Sequence, residues 1–339
     1  MRGNICVNEA KFRVLVTSSE LFANAAEMLT RIGAEIDTMP GKMTEARLSE
    51  ALAKPTQVIV MRGNPPITRA VLEAAAPHLR VIAKPGAGVD SVDLEAATEH
   101  GIPIMTAGHG NAPAVAEITI GFMLALGRDI VRLDRRTRGG DWRRDDYNSS
   151  ELAGRTLGLI GFGRIGRRVA ELARAFGMRV LVLTRTPAKV TPDLAEVAES
   201  LDALLREADY VSLHCPLTEA TRGLMSRKAI AAMRKGAFLL NTGRGALIDE
   251  AALAEALASG HLAGAALDTL SDEPPPSDNP LLAAPNLILT PHIAGLSTGA
   301  TQRTGATTAE NIVAVLTGGK IERANVANPE VLDRLKGRA

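Results

Sequence analysis

Three ionisable residues stand directly behind short apolar runs in the second half of the sequence. Arg244 follows "AFLLN" in "NTGRGALIDEAAL", Glu273 follows "GAALDT" in "LDTLSDEPPP", and His292 follows "NLILT" in "TPHIAG". In open α/β sheets, ligands sit outside the carboxyl ends of the strands. Each residue alone has an ordinary explanation: an arginine opening a helix, a solvated acid in an acidic loop, a capped loop histidine. Beside a nicotinamide site they form a chemically sufficient set. Hydride transfer to a 2-oxo acid needs a cation to grip the carboxylate and polarise the carbonyl, and an acid to protonate the forming alkoxide. Arg244 offers a bidentate fork, and His292 brings an imidazole, a side chain able both to give and to take a proton. A carboxylate beside the imidazole, here Glu273, keeps it protonated and oriented. In the oxidative direction the same histidine is the base.

A hydride carrier is implied upstream. "TLGLIGFGRIGRRVAELARAFG" sets Gly161, Gly163 and Gly166 after a strand pattern and at the opening of a helix, with Phe162, Arg164 and Ile165 between them. A bare G-x-G-x-x-G is a weak signal, but a strand before it and a helix after it make it a strong one. Gly161 allows the tight turn, Gly163 lets backbone approach a pyrophosphate, and Gly166 lets helix and strand pack closely. The helix N-terminus presents free N–H groups to the phosphates. The ordinary alternative is a βα turn with packing glycines. In NAD sites an acid about 20 residues on bonds the ribose 2′-hydroxyl. That place is held by Thr184, at the end of "RVLVL", followed by Arg185. A threonine does not repel a 2′-phosphate, and an arginine pairs with one. The dinucleotide favoured is therefore NADP, with NAD open as the alternative and a solvated Arg185 as the bland reading.

These groups need a frame. Strand candidates are "FRVLVT", "QVIVM", "RVIAK", "IPIMT", "TLGLI", "RVLVL", "YVSLH", "AFLLN", "GAALDT" and "NLILTP". Such nearly continuous apolar runs suit parallel strands covered on both faces. Helical patterns lie between them, such as 165–176, with Ile165, Val169, Leu172, Ala173 and Phe176 on one stripe and Gly177 as the stop. The βαβα alternation predicts an α/β fold of doubly wound parallel sheets. Residues 11–106 supply about four strands. A single long helix is expected from Ala112 to Arg136, then the polar arm "RGGDWRRDDYNSS", then a fresh βαβ series. A last helix, about 301–317, has no following strand and is free to pack back on the first domain.

Composition narrows the classes. The chain has 339 residues, 46% hydrophobic and 23% charged, which is ordinary for a globular protein large enough for two cores. A net charge of +1 gives no field toward nucleic acid or an acidic membrane. The basic run from Arg128 to Arg144 also carries aspartates, which reads as a solvated helix face or a subunit contact. The two cysteines, Cys6 and Cys215, form no disulfide framework and show no metal spacing, so no metal is expected. No secretory leader is legible at the N-terminus. The most apolar stretch, "AVAEITIGFMLALG", carries Glu117 and is too short to span a bilayer. A cytoplasmic setting is expected.

In order, "GLIGFGRIGRRVA", "LHCPLTEATRGLM", "NTGRGALIDEAAL", "ALDTLSDEP" and "LTPHIAG" resemble the D-isomer-specific 2-hydroxyacid dehydrogenases. "KPGAGVDSVDLEAATEHGIPI" and "GNAPAVAEITIGFMLAL" upstream are similar too, so the resemblance spans about residues 11 to 334. It implies a discontinuous substrate domain (11–106 and 299–334) around a dinucleotide-binding Rossmann domain (107–298), with the active site in the cleft. It further implies a homodimer built through the long helix and the arm bearing Trp142. Arg244, Glu273 and His292 match the catalytic arginine, glutamate and histidine. Asp268 matches the acid that contacts the nicotinamide carboxamide. His214, Cys215, Pro216, Thr221 and Thr242 join the cofactor-binding positions, and Gly86, Ala87 and Gly88 match the loop that holds the substrate carboxylate. Arg62 looks like the substrate-domain arginine that meets a phosphate, sulfonate or second carboxylate, with an exposed loop arginine as the alternative.

The departures from the family pattern carry information. Thr184 replaces the NAD-selecting aspartate, as in NADP-dependent glyoxylate/hydroxypyruvate reductases, and Thr269-Leu270 stands where Val-Phe is common. Glu273 argues against formate as substrate, because the formate dehydrogenases carry glutamine there. A chain of this length leaves no room for the regulatory domain of long phosphoglycerate dehydrogenases. The expected function is hydride exchange between the dinucleotide and a small D-2-hydroxy or 2-oxo acid: hydroxypyruvate, glyoxylate or 3-phosphoglycerate in type. The alternative is a dinucleotide-sensing, corepressor-like binding protein on the same fold, which the absence of disordered recruiting tails disfavours.

Overall fold

The computed structural model describes residues 12–336 apart from 64, 146 and 148, so Cys6 lies outside the described residues. The chain divides into two compact units. One takes in the chain up to Asn111 and again from Ser297, and the other runs from Ala112 to Leu296.

The first unit is built on five parallel strands: β1 (Phe12–Val16), β2 (Ala34–Thr38), β3 (Val58–Val60), β4 (Val81–Lys84) and β5 (Ile104–Thr106). Their order in the sheet is β2-β1-β3-β4-β5. Alternation along β1 divides its side chains between two cores. Leu15 packs with Ile59 and Ile82 on one face. Val14 and Val16 face the other, where Ala309, Ile312 and Leu316 of the helix Thr298–Thr317 cover them. That helix is fixed to the same sheet by Asn311, whose amide donates to the Thr106 carbonyl at 3.2 Å.

The second unit carries seven parallel strands: β6 (Thr156–Ile160), β7 (Arg179–Leu183), β8 (Glu196–Val197), β9 (Tyr210–Leu213), β10 (Ala237–Asn241), β11 (Leu262–Leu267) and β12 (Leu287–Leu289). The order is β12-β11-β10-β9-β6-β7-β8. The chain winds one way from β6 through β8 and the other way from β9 through β12, so the order reverses between β6 and β9. A crevice at the carboxyl ends is expected at such a point. Both faces are apolar: Val211, Leu239 and Ala265 enter one core, while Tyr210, Leu240 and Ala266 enter the other. Each fully buried leucine among them contributes roughly 1.5–3 kcal/mol.

Three sequence expectations are corrected. Strands β2 and β8 were not foreseen: "AEIDT" carries charge and lies at a sheet edge, and β8 is two residues long. The long helix expected over 112–136 is two helices, Ala112–Gly127 and Ile130–Arg138, parted by Asp129 in the left-handed region with φ 52°. Gly127 ends the first helix where an added Cβ would lie 2.4 Å from the Tyr210 hydroxyl oxygen. Phe176, expected on the buried stripe of the glycine-loop helix, is 43% exposed, because that helix stops at Ala175 and Gly177 turns the chain with φ 74°.

Candidate active site

The glycine loop leaves β6 where three strand ends meet. The Gly161 N–H donates to the Leu183 carbonyl of β7 at 2.9 Å, and the His214 N–H behind β9 donates to the Ile160 carbonyl at 2.8 Å. Gly161 has φ 105°, and a Cβ there would lie 2.6 Å from the His214 carbonyl carbon. At Gly166 a Cβ would lie 2.3 Å from the Gly161 carbonyl oxygen. Both neighbours are backbone and cannot swing aside, so the loop folds this tightly only with glycine at these positions. Gly163, which precedes the helix Arg164–Ala175, is different: beyond the glycine and its two chain neighbours, no protein atom lies within 4 Å of its missing Cβ. The protein leaves that side open, next to the N–H groups at the helix's N-terminus. A pyrophosphate fits such a cradle. Phe162 is buried beneath it, and Arg164 and Ile165 open the helix.

Two turns flank the glycine loop, one after β7 and one after β9. After β7, the Thr184 hydroxyl accepts from the Thr186 N–H at 3.2 Å, and Arg185 is exposed. After β9, the His214 ring bonds the Ser212 hydroxyl at 2.9 Å. Desolvation brings its pKa down to about 4, so the ring is neutral at pH 7. Burial pushes the Cys215 thiol up, and the positive charge of Arg185 works against that rise. The Thr221 hydroxyl donates to the Pro216 carbonyl at 2.7 Å and closes the following turn.

At the other end of the sheet the expected histidine–glutamate pair comes together. His292 Nδ1 and Glu273 Oε2 are 2.7 Å apart, and Glu273 Oε1 accepts from the Leu270 N–H at 3.2 Å. Burial alone would raise the Glu273 carboxyl. The bond to His292, its charge, the Leu270 N–H and the charge of Arg244 outweigh this and leave the group below its ordinary value. The carboxylate beside the imidazole is therefore favoured in its ionised form. Arg244 is placed by the turn after β10. Asn241, fully buried, accepts from the Gly243 N–H at 2.9 Å and donates to the Arg244 carbonyl at 2.8 Å. Gly245 lets this turn lie against the chain leaving β11, since a Cβ there would stand 1.9 Å from the Leu270 carbonyl carbon. Thr242 is buried, its hydroxyl 3.4 Å from that of Thr119.

Asp268 explains how His292 is held. The residue is 1% exposed, and its carboxylate accepts from the Thr290 hydroxyl at 2.6 Å, the Ile293 N–H at 2.9 Å and the Ala294 N–H at 2.8 Å. Its own carbonyl accepts from the His292 N–H at 2.8 Å. His292 sits at φ 55°, a region few non-glycine residues occupy, at a cost of about 1–3 kcal/mol. Four bonds centred on Asp268 hold it there. Sequence reasoning placed Asp268 at the cofactor and missed this anchoring role, as it missed Asn241, Gly245 and Thr290. The "NTGRG" and "TPH" runs contain them, but only the folded chain reveals their partners.

The four residues expected at the substrate lie in the first unit. Thr17 fixes Arg62 behind β3: its hydroxyl accepts from the Arg62 N–H at 2.9 Å, and the guanidinium stacks 4.4 Å from the centre of the Phe22 ring. Gly86, Ala87 and Gly88 follow β4. Gly108 makes room for them, since a Cβ there would lie 2.5 Å from that of Ala87.

Residues 120–294 match the family described as D-isomer specific 2-hydroxyacid dehydrogenase, NAD binding domain. A hydroxypyruvate reductase of Thermotoga maritima is 41% identical over 257 residues, covering 75% of this chain and 83% of the relative. The chain belongs to this family. A D-3-phosphoglycerate dehydrogenase of Methanocaldococcus jannaschii is also 41% identical, over 318 residues and 93% of this chain. The chain spans 59% of that relative's length. Among solved structures, the TT0316 protein of Thermus thermophilus superposes with a TM-score of 0.83 at 40% identity, covering 93% of this chain and 99% of that one. As a 2-hydroxyacid dehydrogenase family member, the chain carries the nicotinamide-dinucleotide domain in its second unit. Among the described residues no helix is long and apolar enough to cross a membrane, and no cluster of three His, Cys, Asp or Glu could hold a metal ion.

Proposed function

We propose that the protein is a reductase/dehydrogenase that exchanges a hydride between NADP and a small D-2-hydroxy acid or its 2-oxo partner. The observation that carries this reading is the 2.7 Å His292–Glu273 pair at the carboxyl edge of the sheet that also bears the glycine loop. The bound dinucleotide supplies or takes the hydride at C2 of the substrate. In the reductive direction Arg244 grips the carboxylate and polarises the carbonyl. Glu273 occupies Nδ1 of His292 and fixes the ring orientation, leaving Nε2 to the reacting oxygen. The imidazolium gives its Nε2 proton to the oxygen as the C2–H bond forms, and the neutral ring takes it back in oxidation.

Asp268, Thr242, His214, Cys215, Pro216 and Thr221 are the further residues we assign to the dinucleotide, around Gly161–Gly166. The choice of NADP rests on Thr184 in place of an acid and on Arg185 beside it. Gly86, Ala87 and Gly88 are proposed to receive the substrate carboxylate, and Arg62 a second anionic group on hydroxypyruvate, glyoxylate or 3-phosphoglycerate-type substrates that carry one. The relatives named above are enzymes, which favours catalysis over the corepressor-like alternative. A homodimer through the helix Ile130–Arg138 and its arm would cover Ile130, Val131 and Trp142, which are 52%, 38% and 76% exposed. We place the enzyme in the cytoplasm.

The test is a grid of NADPH and NADH against a panel of 2-oxo acids with purified protein. Turnover of at least one acid, faster with NADPH at limiting cofactor, is expected. Dinucleotide binding without turnover of any acid would sink the enzymatic reading.

A further inference from the structure

Arg167 belongs to none of the roles assigned so far, yet it makes two connections. It lies in the first turn of the glycine-loop helix, with its guanidinium 5.0 Å from the centre of the Phe162 ring inside the loop. Its Nη2 donates to the Lys189 carbonyl at 2.8 Å. Lys189 ends the short turn Pro187–Lys189, and its N–H donates to the Thr186 carbonyl at 3.0 Å. Thr186 in turn donates its N–H to the Thr184 hydroxyl at 3.2 Å. An unbroken run of hydrogen bonds thus leads from Thr184 through Thr186 and Lys189 to Arg167, and from there by ring contact to the phosphate loop.

The run matters because the segment after β7 is otherwise weakly held. Residues 185–189 are exposed and bury no apolar side chain. A turn that must offer Thr184 and Arg185 to a ribose phosphate gains affinity when its shape is set before binding. A charged donor on a backbone carbonyl is a strong way to set it. A half-buried arginine resting on an aromatic face is itself restrained.

We propose that Arg167 is a positioning residue for 2′-phosphate recognition: it clamps the Thr184–Lys189 turn to the glycine loop and so sets the preference for NADPH over NADH. The inference rests on the dinucleotide reading above and deepens it. The adenosine 2′-substituent, not the nicotinamide, is the part of the cofactor that Arg167 serves. Hydride transfer itself does not depend on it.

The test measures dissociation constants for NADPH and NADH by fluorescence titration, for the unaltered protein, Arg167→Met, Arg167→Lys, Arg185→Ala and the Arg167→Met/Arg185→Ala double variant. Met keeps an unbranched stem over Phe162 but has no donor for the Lys189 carbonyl, whereas Lys keeps a donor. Arg167→Met is expected to weaken NADPH about five- to tenfold and NADH less than about twofold, with Arg167→Lys recovering most of the loss. The double variant should lose little more than Arg185→Ala alone, because the clamp acts through the turn. Equal weakening of both dinucleotides by Arg167→Met, or none, overturns the proposal. Additive losses overturn it too, since they would make Arg167 a direct phosphate contact. Failure of the underlying reading looks different. The unaltered protein would then bind neither dinucleotide, or Arg185→Ala would leave the NADPH-to-NADH ratio unchanged. In either case the clamp, which acts by presenting that turn, falls with the reading.

Discussion

The two ends of the second unit's sheet are built by opposite means. At the β6 and β7 end the protein removes side chains: Gly161 and Gly166 stand where a Cβ would strike backbone, and Gly163 faces open space. At the β10 to β12 end, where Gly245 alone of the site residues is forced by close backbone, it packs them in, with Asp268, Thr290, Asn241 and Glu273 each holding a defined set of bonds. The contrast fits the roles proposed for the two ends. A phosphate is bound by backbone N–H groups, so side chains are obstacles there. A proton must be passed between fixed atoms, so an imidazole needs a carboxylate to orient it and a buried anchor to hold its backbone.

Substitutions can break this contrast in order of size. His292→Ala should lower kcat by about a hundredfold or more, the scale of one acid–base group, with dinucleotide affinity kept. A full loss of cofactor binding in a steady-state and titration pair would merge the two ends. Next, Gly161→Ala should destabilise the protein by roughly 3 kcal/mol or more, because φ 105° and the 2.6 Å approach to His214 leave the methyl no room. Gly163→Ala should leave the melting temperature within about 2 °C and weaken the dinucleotide instead. If both glycines behave alike in a melt, close approach does not distinguish them.

Asp268→Asn sharpens the other end. It keeps one acceptor but turns a donor toward one of the two backbone N–H groups, and should cost roughly 1–3 kcal/mol of stability. Activity should fall with it as the His292 turn loosens, and a crystal structure with an unmoved His292 would count against the anchor. The smallest effect is expected from Arg185→Ala: about a tenfold loss for NADPH, little for NADH, and no change in kcat at saturation. Equal losses for the two cofactors would remove the phosphate pairing.

How much of this was legible in the sequence varies with the range of the interaction. Parallel strands buried on both faces write themselves as apolar runs, so ten of them were readable. The edge strands "AEIDT" and "EV" were not, because an edge needs only part of that apolarity. The glycine loop was readable because strand, glycines and helix are contiguous. The break at Asp129 was not: nothing in "LALGRDIVRL" signals that Tyr210, 83 residues further on by number, stands against Gly127.

The sequence by itself determined the α/β class and the dinucleotide loop, and it singled out Arg244, Glu273 and His292 as candidates behind strand ends. Local spacing and hydrophobic period encode all of these, and they require no knowledge of distant neighbours. Only the tertiary structure decided that Asp268 anchors the His292 turn, that Gly245 is required by Leu270, and that Arg167 reaches the Lys189 carbonyl. Those facts depend on backbone groups brought together across tens of residues. A hydrogen bond to a distant carbonyl leaves no trace in either partner's residue type.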